Sequence, residues 1–552
     1  MHSFQTTSFV LVLSSLAVPV LSAPTSLLSP YAPVQAACPV EPLVRPGNAL
    51  SALEQSYRSQ RKSIADVALR NWLQKTNPAF NAENGRVPTV ALTTSGGGYR
   101  SLLLGAGVIQ GLDGLDSDVS TSGLLQAITY QAGLSGGGWL LSSLAGNNYP
   151  TVSSLRDNLW GPAFMEGLQL PGGPIAPASL AFITQDLAAK EAAGFPPTLT
   201  DPWGRLLSYQ LLYGYDGGVS TTMSSITGLS KFTSHAIPYP IITALGVKTF
   251  NGECVPGPNA TQYEFGPYEF GSWNKDISAF TSTKYLGTSL INGKPANAAS
   301  CVNNYDNLGY ILGTSSSLFN VPACQKNPAP PSPLTNQLNG LLATAGHTAN
   351  PRDVYAAYPN PFYHYTSPSS RPNPANNIAA QQELDLVDGG EALQNNPIWP
   401  MLQPARAIDV LIVNDNSADS NNFPNGSEIL TTYIQFLNEG LTRMPFVPSV
   451  ETFVSQGLNK RATFFGCNDP SKLTIVYLPN VNYTYPSNVP TAKLQYTIPE
   501  TNAMIANGVQ MAIQGGEPGW ATCLGCAMMM KAGGDLPDEC TACFSKHCYY
   551  GN

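Results

Sequence analysis

The sequence predicts an α/β protein: one large single domain on a central mixed or mostly parallel sheet, elaborated by loops and closed by a disulfide-rich C-terminal segment. Three observations point there. Two stretches read as strand, glycine-rich turn and helix, the βα unit of an α/β sheet. An apolar content of 43% over 552 residues is ample for a large core. Ten cysteines follow the first 22 residues, and five of them fall within the last thirty.

Taken in order, the chain opens on a mostly apolar run from Phe9 to Leu21, too short to span a bilayer comfortably, with small residues around Val20-Leu21-Ser22 before Ala23. Residues 1–22 read as a secretory signal peptide although they hold no Lys or Arg; an uncleaved anchor is the alternative. Residues 23–552 are then the mature domain. No later apolar stretch reaches membrane-spanning length, and Cys548-Tyr549-Tyr550-Gly551-Asn552 lacks the spacer and tail of a lipid-anchor signal. The expected product is secreted and extracellular, with no integral membrane segment after signal removal. Cysteine usage agrees, since an oxidising compartment permits up to five disulfides. Cys523-x-x-Cys526 and Cys540-x-x-Cys543 have zinc-ribbon-like spacing, but behind a signal peptide a disulfide knot is the better reading, and no metal is expected. Pairing does not follow from spacing. Sequons at Asn259, Asn425 and Asn482 predict three glycosylated, solvent-facing loops.

Charged residues make up only 11%, against about 25% in an average soluble domain, while 50 Gly and 47 Pro imply many ordered turns. The net charge of −8 leaves no basic footprint for nucleic acid. It also disfavours electrostatic attraction to anionic membranes, so any lipid contact is expected to be mainly hydrophobic.

A helical stretch around Asn48 to Gln74 precedes the strand-like run Val87 to Thr94. There follow Ser95-Gly96-Gly97-Gly98-Tyr99-Arg100 and a buried helix from Ser101 to Gln110, despite two glycines. Such a loop aims unhindered backbone N–H groups from a helix N-terminus, which is an anion site. The phosphate-loop pattern fails because no Gly-Lys-Ser/Thr follows, and the dinucleotide fingerprint fails at Ser101. An oxyanion loop remains, or a plain structural turn.

Leu124 to Tyr130 reads as a second strand and Trp139 to Ala145 as the body of a second helix. Between them Gly133-Leu134-Ser135-Gly136-Gly137-Gly138 has the Gly-x-Ser-x-Gly form of a nucleophile elbow, with Ser135 as nucleophile. Donors for a tetrahedral oxyanion and the nucleophile that creates it are two of the three parts of acyl transfer. The third is a base. His235, His347, His364 and His547 are the histidines beyond the signal, and only His547, inside the cysteine cluster, lies late enough for the usual Ser-Asp/Glu-His order. An aspartate can serve instead. Glu383 to Val387 reads as a short strand that delivers Asp388 into Gly389-Gly390, where a desolvated carboxylate with a raised pKa could take the Ser135 proton.

Pro/Gly-rich stretches at Leu170 to Pro177, Asn327 to Pro333 and Ser367 to Pro374 read as loops or lids. Ala407 to Val413 is a further buried strand, and the acidic turn Asn414 to Asp419 after it lacks the glycine and terminal glutamate of a calcium loop.

Ser-Gly-Gly-Gly-Tyr-Arg at 95–100, Gly-Leu-Ser-Gly-Gly-Gly-Trp at 133–139 and Val-Asp-Gly-Gly at 387–390, in that order, resemble the fungal lysophospholipase/phospholipase B family, which is related to the catalytic domain of cytosolic phospholipase A2. The likeness runs from about Cys38 to Cys548 and includes Asp201-Pro202-Trp203-Gly204-Arg205, Glu269 to Trp273, Gly313-Thr314-Ser315-Ser316-Ser317-Leu318-Phe319-Asn320, Asp415 to Asp419 and Phe464 to Cys467. It implies a Ser135–Asp388 dyad without histidine, an oxyanion hole at Gly97 and Gly98, and a substrate phosphate on Arg100. It implies no cofactor and no metal. The implied substrates are lysophospholipids and diacyl phospholipids at micelle or membrane surfaces. Ser101 stands where relatives usually carry Ala and Gly138 where fungal relatives usually carry Ser; both are small. Two other readings compete: a patatin-like acyl hydrolase on galactolipids or neutral lipids, and a secreted lipid-binding glycoprotein without turnover.

Overall fold

In the computed structural model, residues 29–79, 86–168, 176–297, 300–371, 377–532 and 536–551 are described. The signal peptide at 1–22 lies outside them, as do parts of the proline- and glycine-rich stretches at 170–177 and 367–374.

Twelve strands form the main sheet. In chain order they are β1 (Val44–Pro46), β2 (Val90–Thr94), β3 (Ile128–Gly133), β4 (Tyr239–Val247), β5 (Gln262–Phe265) and β6 (Glu269–Ser272). After them come β7 (Ala279–Ser282), β8 (Ala356–Pro359), β9 (Glu383–Val387), β10 (Val410–Asp415), β11 (Thr463–Phe465) and β12 (Thr474–Pro479). The order across the sheet is β11-β12-β10-β2-β3-β4-β5-β6-β7-β1, with β9 on β4 and β8 on β9. The sheet is mixed. β12, β10, β2, β3 and β4 run parallel, and every other pairing is antiparallel.

Parallel strands are buried on both faces, so they read as continuous apolar runs instead of alternating ones. β2, β3, β10 and β12 have no exposed residue. The helices around them are α1 (Ala52–Thr76), α2 (Gly98–Leu112), α3 (Ser135–Gly146), α4 (Thr200–Leu211) and α5 (Leu308–Thr314), then α6 (Ser427–Asn438), α7 (Ile498–Ala512), α8 (Trp520–Met529) and α9 (Glu539–His547). The two glycines within α2 are there for packing. A Cβ on Gly107 would stand 2.0 Å from the Ile505 carbonyl of α7, and one on Gly105 would stand 2.8 Å from Thr94 of β2. Glycine thus lets α2 lie directly against a helix and a strand at once.

All ten cysteines are paired: Cys38–Cys301, Cys254–Cys324, Cys467–Cys548, Cys523–Cys543 and Cys526–Cys540. The two Cys-x-x-Cys units therefore staple α8 to α9 crosswise, as the disulfide reading expected. Asn259 and Asn482 are exposed, but Asn425 is half-buried. Its side chain accepts from the Ser427 N–H at 2.9 Å and donates to Ser420 Oγ at 3.3 Å, so this third sequon does not face solvent freely.

Candidate active site

β4 is longer than its partners, and the site exists because of that. Ile242 pairs with Phe265 of β5 and with Gly133 of β3, while Leu245 pairs with Gln262 of β5 and with Val387 of β9. With β5 filling one edge, β3 and β9 must share the other. They run in opposite directions, so their C-terminal ends meet nose to nose three positions apart along β4, about 10 Å, with Thr243 and Ala244 between them. The chain leaving β3 carries Ser135 and the chain leaving β9 carries Asp388. β9 is antiparallel to β4, so Asp388 does not sit on the common carboxyl edge of a parallel sheet as a strand-end aspartate suggested; it arrives from the opposite side.

Ser135 begins α3 with φ +48°, a left-handed backbone that β-carbon residues rarely adopt and that an elbow requires. Its side chain faces the Asp388 carboxyl closely enough to favour the ionised form of that group. Asp388 is 4% exposed, and burial pushes its carboxyl up to about 6 against the opposing pull of the Gly390 N–H, 2.6 Å from Oδ1, and the Ser135 hydroxyl. A carboxylate so placed has lost much of its hydration and is a better base than one in water. None of the histidines is hydrogen-bonded to either residue among the described residues. His547 lies between the Ala462 carbonyl and Glu517, and His347 between Glu191 and Asp353.

The glycine loop is pressed against the elbow. A Cβ on Gly136 would stand 2.1 Å from the Gly98 carbonyl, and one on Gly96 would stand 3.1 Å from Ser135 Cβ. Gly97 and Gly98 have φ of +137° and +61°. Neither N–H meets an acceptor among the described residues, and Gly98 opens α2 just where Ser135 opens α3. Two helix N-termini therefore face one point, which favours negative charge there.

Arg100 is fully buried. Its Nε donates to the Asn416 carbonyl at 3.0 Å and its Nη1 to the Val489 carbonyl at 2.7 Å, while Nη2, under Gly97, has no partner. Burial lowers its pKa to about 10, which leaves the guanidinium charged at neutral pH. Buried Arg406 is matched by Glu54 and Glu264, and buried Arg205 by Asp186, whereas Arg100 has no carboxylate within ion-pair distance among the described residues. An unmatched buried cation beside an empty pair of amides is suited to an anionic ligand.

Three supports were not read from the sequence. Asn395 accepts the Gly96 N–H on its own carbonyl at 2.9 Å, and its Nδ2 donates to the Gly96 carbonyl at 3.3 Å and to Ser417 Oγ at 2.9 Å. The acidic turn after β10 is a buttress: Asp415 accepts from Ser417 and from the Tyr477 hydroxyl, and the Asn416 N–H donates to Ser95 Oγ at 2.7 Å. The segment after α5, quoted above only for its likeness, touches both strand ends. The run of small polar residues Thr314-Ser315-Ser316-Ser317 was the sole signal for it.

The family described as "Lysophospholipase catalytic domain" matches residues 90–552. "Lysophospholipase 2" of Aspergillus fumigatus is 38% identical over 94% of this chain and 93% of its own, and a "Lysophospholipase" of Penicillium chrysogenum is 36% identical over 94% and 90%. Among solved structures, "Human GIVD cytosolic phospholipase A2" superposes with a TM-score of 0.65 over 90% of this chain and 72% of that one, at 17% identity, a likeness of fold. The match over most of the length, together with relatives above a third identical, means that the chain belongs to the lysophospholipase catalytic-domain family.

Proposed function

We propose that this protein is a secreted carboxyl-ester hydrolase that releases fatty acids from lysophospholipids and diacyl phospholipids through an acyl-serine intermediate. The observation that carries the reading is the meeting of the β3 and β9 ends on β4, which brings the Ser135 elbow against the turn that holds the buried Asp388. Ser135 Oγ attacks the ester carbonyl carbon while its proton passes to Asp388. The carbonyl oxygen becomes an oxyanion and accepts from the N–H groups of Gly97 and Gly98, which need not reorient to meet it. Collapse breaks the ester C–O bond, and the departing glycerol oxygen takes the proton back from Asp388. Water then attacks the acyl-serine, Asp388 accepts its proton, and a second collapse returns that proton to Ser135 as the fatty acid leaves. Arg100 holds the phosphate through the guanidinium nitrogen that has no partner among the described residues. Every proton and oxygen in this cycle is handled by side chains, amides and water.

The test is fatty-acid release from lysophosphatidylcholine by purified protein, with Ser135→Ala alongside and chelator present throughout. Release by the parent and none by the folded variant is expected. Release confined to galactolipids or neutral esters would replace the substrate class by the patatin-like one. Silence across ester classes with intact folding would favour a lipid-binding glycoprotein, and equal release by both proteins would displace Ser135 as nucleophile.

A further inference from the structure

The gap between β3 and β9 leaves a β4 residue, Thr243, with no strand opposite it on that edge, and Ser315 fills the place. Ser315 is fully buried and follows directly on α5. Its hydroxyl donates to the Thr243 carbonyl at 2.7 Å. Its Oγ accepts the Ser135 N–H at 2.9 Å, and its carbonyl accepts the same N–H at 3.1 Å. That carbonyl also accepts the Gly389 N–H at 3.3 Å, and two residues on, the Ser317 carbonyl accepts the Asp388 N–H at 3.0 Å. Nucleophile and base are thus held by one short segment, not by pairing of their own strands.

Any residue offers a carbonyl. A serine hydroxyl gives a proton to β4 and accepts one from Ser135 through a single atom, which an alanine side chain cannot do. Because Ser315 engages the Ser135 N–H, that amide is withdrawn from oxyanion duty. We propose that Ser315 is a positioning residue for the ester hydrolysis described above: by tying the elbow and the Asp388 turn to a single point of β4, it sets the separation and direction of Ser135 Oγ and the Asp388 carboxyl. The proposal rests on that reading of the dyad.

The test compares Ser315→Ala with Ser316→Ala. Ser316 Oγ accepts the indole N–H of Trp139 at 2.9 Å and of Trp203 at 3.0 Å, so it supports the core next door without touching the dyad. Three readouts are taken per folded molecule: kcat and KM on lysophosphatidylcholine, the pH profile, and the rate at which an alkyl fluorophosphonate labels Ser135. Ser315→Ala is expected to lower kcat roughly 10- to 100-fold with KM within about threefold, as a small misplacement of reacting groups does. Labelling should slow by the same factor. The acid limb should move up, because the Ser135 hydroxyl that holds Asp388 down is no longer aimed at it. Ser316→Ala should lower only the melting temperature. Ser315→Thr, which keeps the hydroxyl, should retain the parent's limb, and Ser315→Cys, with a weaker donor of similar volume, stands in if Ser315→Ala does not fold. Labelling rate and limb equal to the parent's, or the same changes in Ser316→Ala, overturn the proposal. Labelling needs no lipid, so a parent that labels but does not hydrolyse lysolipid would sink the substrate reading and leave this one testable.

Discussion

Asp388 sits almost wholly out of water, and burial raises its carboxyl to about 6. Only the ionised form can take a proton from Ser135, so the base form gains population as pH climbs through that value. The initial rate should therefore rise with a limb near pH 6, and Asp388→Asn should cost about 10²- to 10⁴-fold in kcat, the range of a positioned base. A pH profile and a single-turnover assay check both. Arg100 gives the second expectation at this scale. Lysine cannot reproduce a fork held by two carbonyls, so Arg100→Lys should lower kcat/KM for a lysophospholipid about 10- to 100-fold, the worth of a charge-assisted hydrogen bond, with a much smaller change for a neutral ester. Equal losses on both substrates would remove the phosphate from this residue. The sequence singled out Ser135, Gly97, Gly98 and Asp388 as candidates because each lies in a local pattern that glycine punctuates. It did not disclose Ser315 or Asn395, since their roles come from partners 180 and 299 positions away.

At the level of elements, the elbow and the oxyanion loop are a single packed object. The Cβ of Gly136→Ala would lie 2.1 Å from the Gly98 carbonyl, which no rotamer relieves, so the variant must push α2 and α3 apart. Overpacking of this kind costs about 1–3 kcal/mol. A fall in melting temperature with a larger fall in kcat than in substrate affinity is expected from calorimetry and steady-state kinetics; an unchanged kcat would mean that the loop tolerates the shift. Strand and helix positions followed from apolar runs, with displaced starts that have plain causes. β2 begins at Val90 and not Val87 because Pro88 has no N–H to give the ladder. A 3-10 turn at Leu125–Ala127 delays β3 to Ile128. The direction of β9 was not legible at all, because a five-residue strand carries no mark of whether its neighbour runs with it or against it.

Across the whole molecule, burial raises a set of carboxyls together: Asp388 and Asp419 to about 6, and Glu391 and Glu428 to about 8. Each binds its proton more tightly folded than unfolded, where values near 4 apply. The stability they contribute is fully present below about pH 4 and is lost as pH rises through 6 and then 8. The melting temperature should fall by roughly several degrees between pH 5 and pH 8.5, and Glu428→Gln should flatten the upper part of that slope. A melting temperature that climbs over this range would contradict the burial of these groups. Activity and stability thus pull in opposite directions, with the dyad gaining its base form as the fold begins to lose ground. Fold class and a disulfide-bonded C-terminal segment were legible from composition, cysteine spacing and the two βα units, but the crosswise pairing was not; nor was the acid cluster, because its members are scattered from 388 to 428 and meet only through packing.

The nose-to-nose meeting of β3 and β9 also orders events during synthesis. Ser135 leaves the ribosome early, whereas its anchor Ser315 is 180 residues behind and the Val489 carbonyl that seats Arg100 is 389 residues behind that arginine. Early segments fold as they emerge, but contacts this distant in sequence form only when the later segments arrive. A nascent or truncated chain ending before β9 carries a serine with no base, a glycine loop without Asn395 to brace it and an arginine without its seat. On the proposed reading, chemical competence becomes a late report that the fold is complete.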